Sequence, residues 1–188
     1  MKLRRLAATT AVALAATTSL AACGGSEEKP TAGKTEGVYV NTGNLAYQVQ
    51  ISRQLNASDF EDRDYLVGLP AAGHTLGPKQ EWFGVFVRVF NRTKAPHPSA
   101  SQFVIRDTTG KEYRPVPLDT RVNRTAYKPA AVGAGDQIPV PGSLARENLT
   151  QGGLILFRVN NSSYASRPLE LNITPPDGGQ PATVDLDV

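Results

Sequence analysis

The fold is decided by the stretch EWFGVFVRVFN at residues 81–91. Every second side chain in it is large and apolar, a period of two that is typical of a β-strand with one buried face. The residues of that face are Phe83, Val85, Val87 and Val89. An uninterrupted apolar face of this kind predicts a strand over residues 82–90 in the core of a β protein.

The same alternation recurs in further runs, and Gly- or Pro-rich turn signals separate them. Their apolar positions are Leu45, Tyr47, Val49 and Ile51; Phe103 and Ile105; Ile155, Phe157 and Val159; Leu169, Leu171 and Ile173; and Val184, Leu186 and Val188. The sequence has no βαβ spacing and no internal repeat. The pattern predicts an all-β fold, an antiparallel β-sandwich or barrel, in one domain over residues 37–188.

The opposite face of the strand at 82–90 is unusual, because Trp82, Phe86 and Phe90 occupy positions that are normally polar in a sandwich. We expect the insertion at residues 56–80 to pack over Phe86 and Phe90 and to leave Trp82 nearer the rim. Arg88 lies between the rings and is expected to stack on them and to reach an insertion carboxylate, Asp62 or Asp64. The alternative is an open binding face formed by Trp82, Phe86, Arg88 and Phe90.

A short helix is predicted at residues 59–67, inside that insertion. Ser58 and Glu61 fit a capping box, with Ser58 as the N-cap. Gly68 stands where a glycine would end the helix. The acidic residues of this segment also suggest a calcium loop, but the sixth-position Gly and the distal Glu of an EF-hand are missing, which favours the helix.

From residue 81 onward the chain resembles an uncharacterised domain family of bacterial lipoproteins, especially those of high-GC Gram-positive bacteria. The resemblance covers about residues 45–175 and rests on WFGVFVRVFN, FVIRDTTGKEY, GGLILFRV and PLELNI. It implies an immunoglobulin-like β-sandwich, similar in fold to the secreted immunoprotective antigens of mycobacteria, that acts as an extracytoplasmic binding or interaction module. The chain departs from the family in the loop before Gly152, and the family provides no catalytic residues to transfer.

The N-terminus has the layout of a secretory signal, with MKLRR followed by an uncharged segment up to residue 22. The twin Arg4-Arg5 is compatible with a Tat signal, but the residues after it do not extend that motif, which favours Sec export. The segment LAAC at residues 20–23 resembles the lipobox of bacterial lipoproteins. This resemblance implies removal of residues 1–22 and acylation of Cys23, and so an extracytoplasmic protein anchored in membrane lipid. The alternative is a plain secreted protein with an incidental cysteine.

Residues 24–36, GGSEEKPTAGKTE, are polar and rich in Gly and charge, and we expect them to form, with Cys23, a flexible tether over residues 23–36. The chain has 20 Lys+Arg and 17 Asp+Glu, a net charge of +3. All three excess charges lie in the predicted signal peptide, at Lys2, Arg4 and Arg5. The predicted mature chain is therefore neutral overall, and its charge gives no reason to expect a nucleic-acid partner.

Charge is nevertheless uneven along the chain, because residues 88–128 hold nine basic and three acidic side chains. This basic block would face anionic lipid or an acidic partner if it formed one patch. The simpler interpretation is that it decorates the solvated faces of the sandwich and pairs with acidic residues from both ends of the chain.

The sequence provides little for catalysis or metal binding. His74 and His97 both lie in loop-like segments, and no GxSxG, P-loop or dinucleotide motif is present. With Cys23 acylated, no cysteine remains to bind a metal. We therefore expect no cofactor and a non-enzymatic binding or accessory role, with a ligand or an envelope protein as partner; the alternative is a small extracytoplasmic hydrolase or envelope-modifying enzyme.

Overall fold

The computed structural model describes residues 29–71 and 75–188. The predicted signal peptide, Cys23 and His74 lie outside these residues.

Two five-stranded sheets pack face to face. The terminal sheet has the order β1-β12-β11-β6-β7, and the central sheet has the order β10-β4-β3-β2 with β9 also paired to β4. The strands are β1 (Ala32–Gly33), β2 (Tyr39–Thr42), β3 (Leu45–Leu55), β4 (Gln80–Phe90), β5 (His97–Pro98), β6 (Gln102–Arg106), β7 (Glu112–Tyr113), β8 (Ala131–Val132), β9 (Gln137–Ile138), β10 (Gly153–Asn160), β11 (Leu169–Thr174) and β12 (Ala182–Leu186).

The predicted β-sandwich is confirmed. Its pairings are antiparallel except that β1 runs parallel to β12. The core between the sheets contains the predicted faces of β4, β6, β10 and β11, which alternate as the sequence pattern requires. Phe83, Val85, Val87 and Val89 of β4 are all fully buried there. Burial of this apolar surface is the main term that stabilises the fold.

The alternation predicted for β3 breaks after Val49. A β-bulge shifts the register of β3 against β4 between Val49 and Ile51. The extra residue turns the next side chains to the other face. Ile51 is therefore 39% exposed and Ser52 is buried, so the expectation that Ile51 would continue the buried face is wrong.

The insertion contains a shorter helix than predicted, α1 (Phe60–Arg63), which continues as a 3₁₀ turn at Asp64–Leu66. Its N-cap is Asp59 and not Ser58, since the Asp59 carboxylate accepts the N–H groups of Glu61 and Asp62. Gly68 has a φ of +75°, as expected for a glycine that ends a helix. The structure also contains a second helix, α2 (Leu144–Glu147), which the sequence pattern does not predict and whose N-cap Ser143 makes no side-chain cap hydrogen bond.

The C-terminal part of the predicted tether is ordered. Ala32 and Gly33 form β1 against β12, and the Glu36 carboxylate accepts the N–H and the hydroxyl of Ser52. The prediction of flexibility up to Glu36 is therefore wrong for these residues. Composition suggested a tether, but the free edge of β12 provides backbone partners that composition does not reveal.

Candidate functional site

The outer face of the central sheet, which points away from the terminal sheet, carries the aromatic residues that the sequence singled out. Half of it is covered. Phe86 is fully buried and Trp82 is 2% exposed. They belong to a second apolar cluster, with Leu55, Tyr65, Leu66, Leu154 and Leu156. The predicted cover of Phe86 by the insertion is confirmed, but Trp82 is buried and not at the rim.

Specific contacts hold the insertion on this face. The ring of Tyr65 meets the ring of Phe86 edge-on, with 5.1 Å between centroids. The buried Asn123 donates its side-chain amide to the carbonyls of Tyr65 and Val67. These groups satisfy buried backbone acceptors, so the cover is a packed part of the domain.

The carboxylate of Asp62 is paired with Arg53, whose Nη2 lies 2.6 Å from Oδ1 of Asp62. Arg88 was expected to take this role, and that prediction is wrong. Arg53 lies on β3 opposite Gly84, next to the insertion, whereas Arg88 lies two residue rows further along β4. Arg88 therefore remains beyond the edge of the covered half.

The other half of the face is open to solvent in part. The register aligns Tyr39 with Gln48 and Arg88 in one row, and Asn41 with Ala46 and Phe90 in the next. The guanidinium of Arg88 lies 4.7 Å from the ring centroid of Phe90. Phe90 is thus only partly buried, and the side chains that contact it are those of Arg88 and Tyr39. The prediction that the insertion covers Phe90 is wrong.

A second stacked pair completes this open half. The guanidinium of the exposed Arg92 lies 4.5 Å from the ring centroid of Tyr39. The rings of Tyr39 and Phe90 meet edge-on at 5.5 Å. Each ring thus has a cation over it, an arrangement that holds the long arginine side chains in place.

The charged side chains of the open half are arginines. Partial burial lowers the pKa of the Arg88 guanidinium, and repulsion from Arg146, in α2, lowers it further. None of the ion pairs within the described part of the chain includes Arg88, Arg92 or Arg146. We call the surface formed by Tyr39, Arg88, Phe90, Arg92 and Arg146 the cationic face.

A separate cleft of about 430 Å³ opens beside β10. Its lining is rich in proline and apolar side chains, with Ser101, Thr120 and Tyr127 as its hydroxyl groups. The Tyr127 hydroxyl donates to the carbonyl of Ala100, and burial raises the pKa of this phenol. The described lining holds no carboxylate, imidazole or amine, so the cleft offers shape and apolar contact.

The remaining sequence candidates do not come together. The backbone of His97 is paired with Val132 in a two-stranded ribbon. Within residues 29–71 and 75–188, no group of three potential metal ligands is found; around α1, Asp59 caps the helix and Asp62 pairs with Arg53.

The basic block is divided between the two sheets. Arg106 and Arg114 pair with Glu112 at the edge of the terminal sheet, whereas Arg88 and Arg92 lie on or beside the central sheet. The block therefore does not form one patch, and several of its members have local acidic partners.

Sequence reasoning found Arg88 and Phe90 but missed Tyr39 and Arg146. Tyr39 reaches the site through the pairing of β2 with β3, and Arg146 reaches it through α2. A local pattern does not reveal such contributions, since each comes from a segment distant in sequence.

In the part of the chain that the structure describes, no helix is long and apolar enough to cross a membrane.

Several solved structures are similar to this one. The yjhA protein from Bacillus subtilis matches with a TM-score of 0.51 and 11% identity, over 82% of this chain and 99% of that protein. MPT63, a secreted protein from Mycobacterium tuberculosis, matches with a TM-score of 0.49 and 16% identity, over 84% of this chain and 98% of that protein. An uncharacterized β-sandwich protein from Clostridium difficile 630 matches with a TM-score of 0.42 and 10% identity, over 86% and 97% of the two chains.

No family model and no curated protein matches this sequence. At these identities the likeness concerns the fold alone: the chain is a β-sandwich of the kind found in these bacterial proteins.

Proposed function

We propose that the chain is a lipoprotein, held at the outer face of a membrane by acylated Cys23, that acts by binding and not by catalysis. The observation that carries the proposal is the LAAC segment, which follows a charged and then an uncharged stretch. Two acyl chains on this cysteine give stable anchoring, at ~0.8 kcal/mol per buried CH₂ group.

The position of the folded domain supports an anchored state. The N–H and the side-chain amide of Asn41 both donate to the carbonyl of Pro30. Only six residues separate Cys23 from Pro30. A domain so close to its anchor stays at the membrane surface, where it is available to a ligand or an envelope protein.

The chemistry of the cleft favours binding. A catalytic site needs converging acid, base or nucleophile groups. The clefts that the described residues form include serines at Ser101 and Ser143, but neither has a histidine or a carboxylate in the same cleft. Labelling of the folded chain by a fluorophosphonate probe would instead favour the alternative, a small hydrolase.

The anchor is tested by expressing the full chain and its Cys23→Ala variant in a bacterial host fed an alkyne-labelled fatty acid. We expect the wild-type chain to carry the label and to stay in the membrane fraction after a high-salt wash. The Cys23→Ala variant should carry no label and should leave the membrane, because its acceptor thiol is gone.

The matched control is Ser26→Ala, three residues beyond the proposed cleavage site, which should be labelled like the wild type. Retention of the Cys23→Ala variant in the washed membranes would show that another feature holds the protein there and would overturn the anchor.

A further inference from the structure

We propose that the cationic face binds anionic phospholipid head groups and so orients the domain on the membrane that carries its anchor. Three arginines that form no ion pair in the described structure lie on or beside this half of the sheet. Arg88 and Arg92 stack on its rings, and Arg146 lies in α2, which is held next to β4 because Ala145 accepts the N–H of Gly152 beside Phe86. A guanidinium offers a planar fork of N–H donors that matches a phosphate as it does a carboxylate, so phosphate head groups fit this chemistry.

The carboxylates nearest in sequence form no ion pair with these arginines in the described structure. Glu147, next to Arg146, accepts the N–H of Gly142, and Asp136 lies in the turn that precedes β9. The net charge of the predicted mature chain is zero, because three of the 20 basic residues precede Cys23 and all 17 acidic residues follow it. Attraction to an anionic surface would therefore be local to this face and not a property of the whole chain.

Two of these arginines, Arg88 and Arg92, are held in place before any ligand binds. Arg88 is stacked on Phe90 and its Nη2 donates to the side-chain oxygen of Gln137 at 3.3 Å. Arg92 is stacked on Tyr39. Side chains that are already ordered lose less conformational freedom on binding, which favours affinity.

Apolar side chains accompany this charge. Of the eight exposed large hydrophobic residues in the described chain, three lie around α2, beside Arg146, and they are Val140, Leu144 and Leu149. Leu149 is 93% exposed. A basic cluster with exposed Leu and a ring of Tyr is the composition that favours a membrane interface over a water-soluble acidic partner.

The entry point of the chain supports the same occupant. Pro30 is hydrogen-bonded to Asn41, and Asn41 lies in the same residue row as Phe90. Seven Cα–Cα steps from Cys23 to Pro30 span at most about 25 Å. The choice of a membrane rests on the proposed anchor, whereas the phosphate chemistry rests on the arginines alone.

The test uses residues 23–188 with Cys23→Ser, which cannot be acylated, so its result does not depend on the anchor. Binding is measured by flotation with vesicles of phosphatidylcholine and with vesicles of equal parts phosphatidylcholine and phosphatidylglycerol. We expect binding to the anionic vesicles only, weakened by salt because the charges are partly exposed. Replacing Arg88, Arg92 and Arg146 by Gln should weaken it about 100-fold, roughly five-fold for each charge lost.

The matched control replaces Arg106, Lys111 and Arg114 by Gln. It removes the same number of charges from the edge of the terminal sheet and should change binding by less than about five-fold. Because Arg88 is partly buried, the Arg92→Gln, Arg146→Gln double variant provides a second measure, with an expected loss of about 25-fold.

Three results would overturn the proposal. Equal binding to neutral and anionic vesicles would exclude head-group charge as the cause. Equal losses in the two triple variants would indicate a general charge effect. Displacement from the vesicles by glycerol phosphate at the same phosphate concentration would indicate a site for small soluble anions.

Discussion

At the scale of single residues, two buried tyrosines hold the backbone of Ala100. The N–H of Ala100 donates to the Tyr47 hydroxyl at 2.8 Å, and the Tyr127 hydroxyl donates to the Ala100 carbonyl at 2.9 Å. Burial raises the pKa of Tyr47 to about 12 and shifts the pKa of Tyr127 upward as well. The folded state therefore resists ionisation of both phenols.

This predicts a loss of stability in alkali. An unfolded chain ionises its tyrosines near pH 10, whereas folded Tyr47 keeps its proton to about pH 12. Its contribution to the free energy of unfolding is thus fully present below pH 10 and is lost as pH rises to about 12. Urea denaturation at a series of pH values should show this decline, and Tyr47→Phe should make it shallower.

At neutral pH the same substitution should cost about 1–3 kcal/mol, because the buried N–H of Ala100 loses its acceptor. A Tyr47→Phe protein as stable as the wild type at neutral pH, with an unchanged alkaline decline, would contradict this account of the pair.

At the scale of elements, the sequence predicted the inter-sheet faces of β4, β10 and β11, because every second residue of each strand is large and apolar. It misplaced Ile51, since a bulge leaves no trace in the apolar pattern. It also misplaced Trp82. The outer face around Trp82 is buried by Tyr65 and Leu66 of the insertion, and a pattern within β4 does not show which segment packs on it. Asp62 paired with Arg53 and not Arg88 for the same reason, as the register across β3 and β4 is not visible in one strand.

Gly152, between α2 and β10, packs closely against the backbone of β4. Gly152 has a φ of +126°, and a Cβ there would lie 2.9 Å from the carbonyl carbon of Phe86. Its N–H donates to the carbonyl of Ala145. This contact positions the segment that carries Arg146, so the site depends on a residue with no side chain.

We expect Gly152→Ala to lower the free energy of unfolding by more than about 2 kcal/mol, through backbone strain together with overpacking. Gly142→Ala is the matched control in the same loop. Gly142 has a φ of +77° but open space around its missing Cβ, so the cost should be only about 1 kcal/mol. Equal losses in urea denaturation would show that the close approach to Phe86 contributes nothing.

At the scale of the whole molecule, residues 32–36 meet the C-terminal strand at one edge of the sandwich. β1 pairs with β12, the Thr35 hydroxyl donates to the Asp187 carboxylate at 2.7 Å, and the Asp187 N–H donates to Glu36. Residues 32–36 are therefore fastened to the domain and are not a free linker. Asn41, which lies in the same residue row as Phe90, also holds Pro30 by two hydrogen bonds.

Glu36 is the residue that joins the two sheets at this edge. Its carboxylate accepts the N–H of the buried Ser52 in β3 at 3.0 Å and the N–H of Asp187 at 3.2 Å.

Because Ser52 is buried, Glu36→Ala should leave its N–H unsatisfied and cost about 1–3 kcal/mol in thermal or urea unfolding. Glu112→Ala removes the same charge from exposed ion pairs with Arg106 and Arg114, which are worth at most about 1 kcal/mol. If the two variants lost equal stability, charge alone would explain the effect, and residues 32–36 would not be the fastened segment that the structure describes. A larger loss in Glu36→Ala would instead make this segment a structural part of the domain, and the chain between Cys23 and the sandwich would be shorter than its composition suggests.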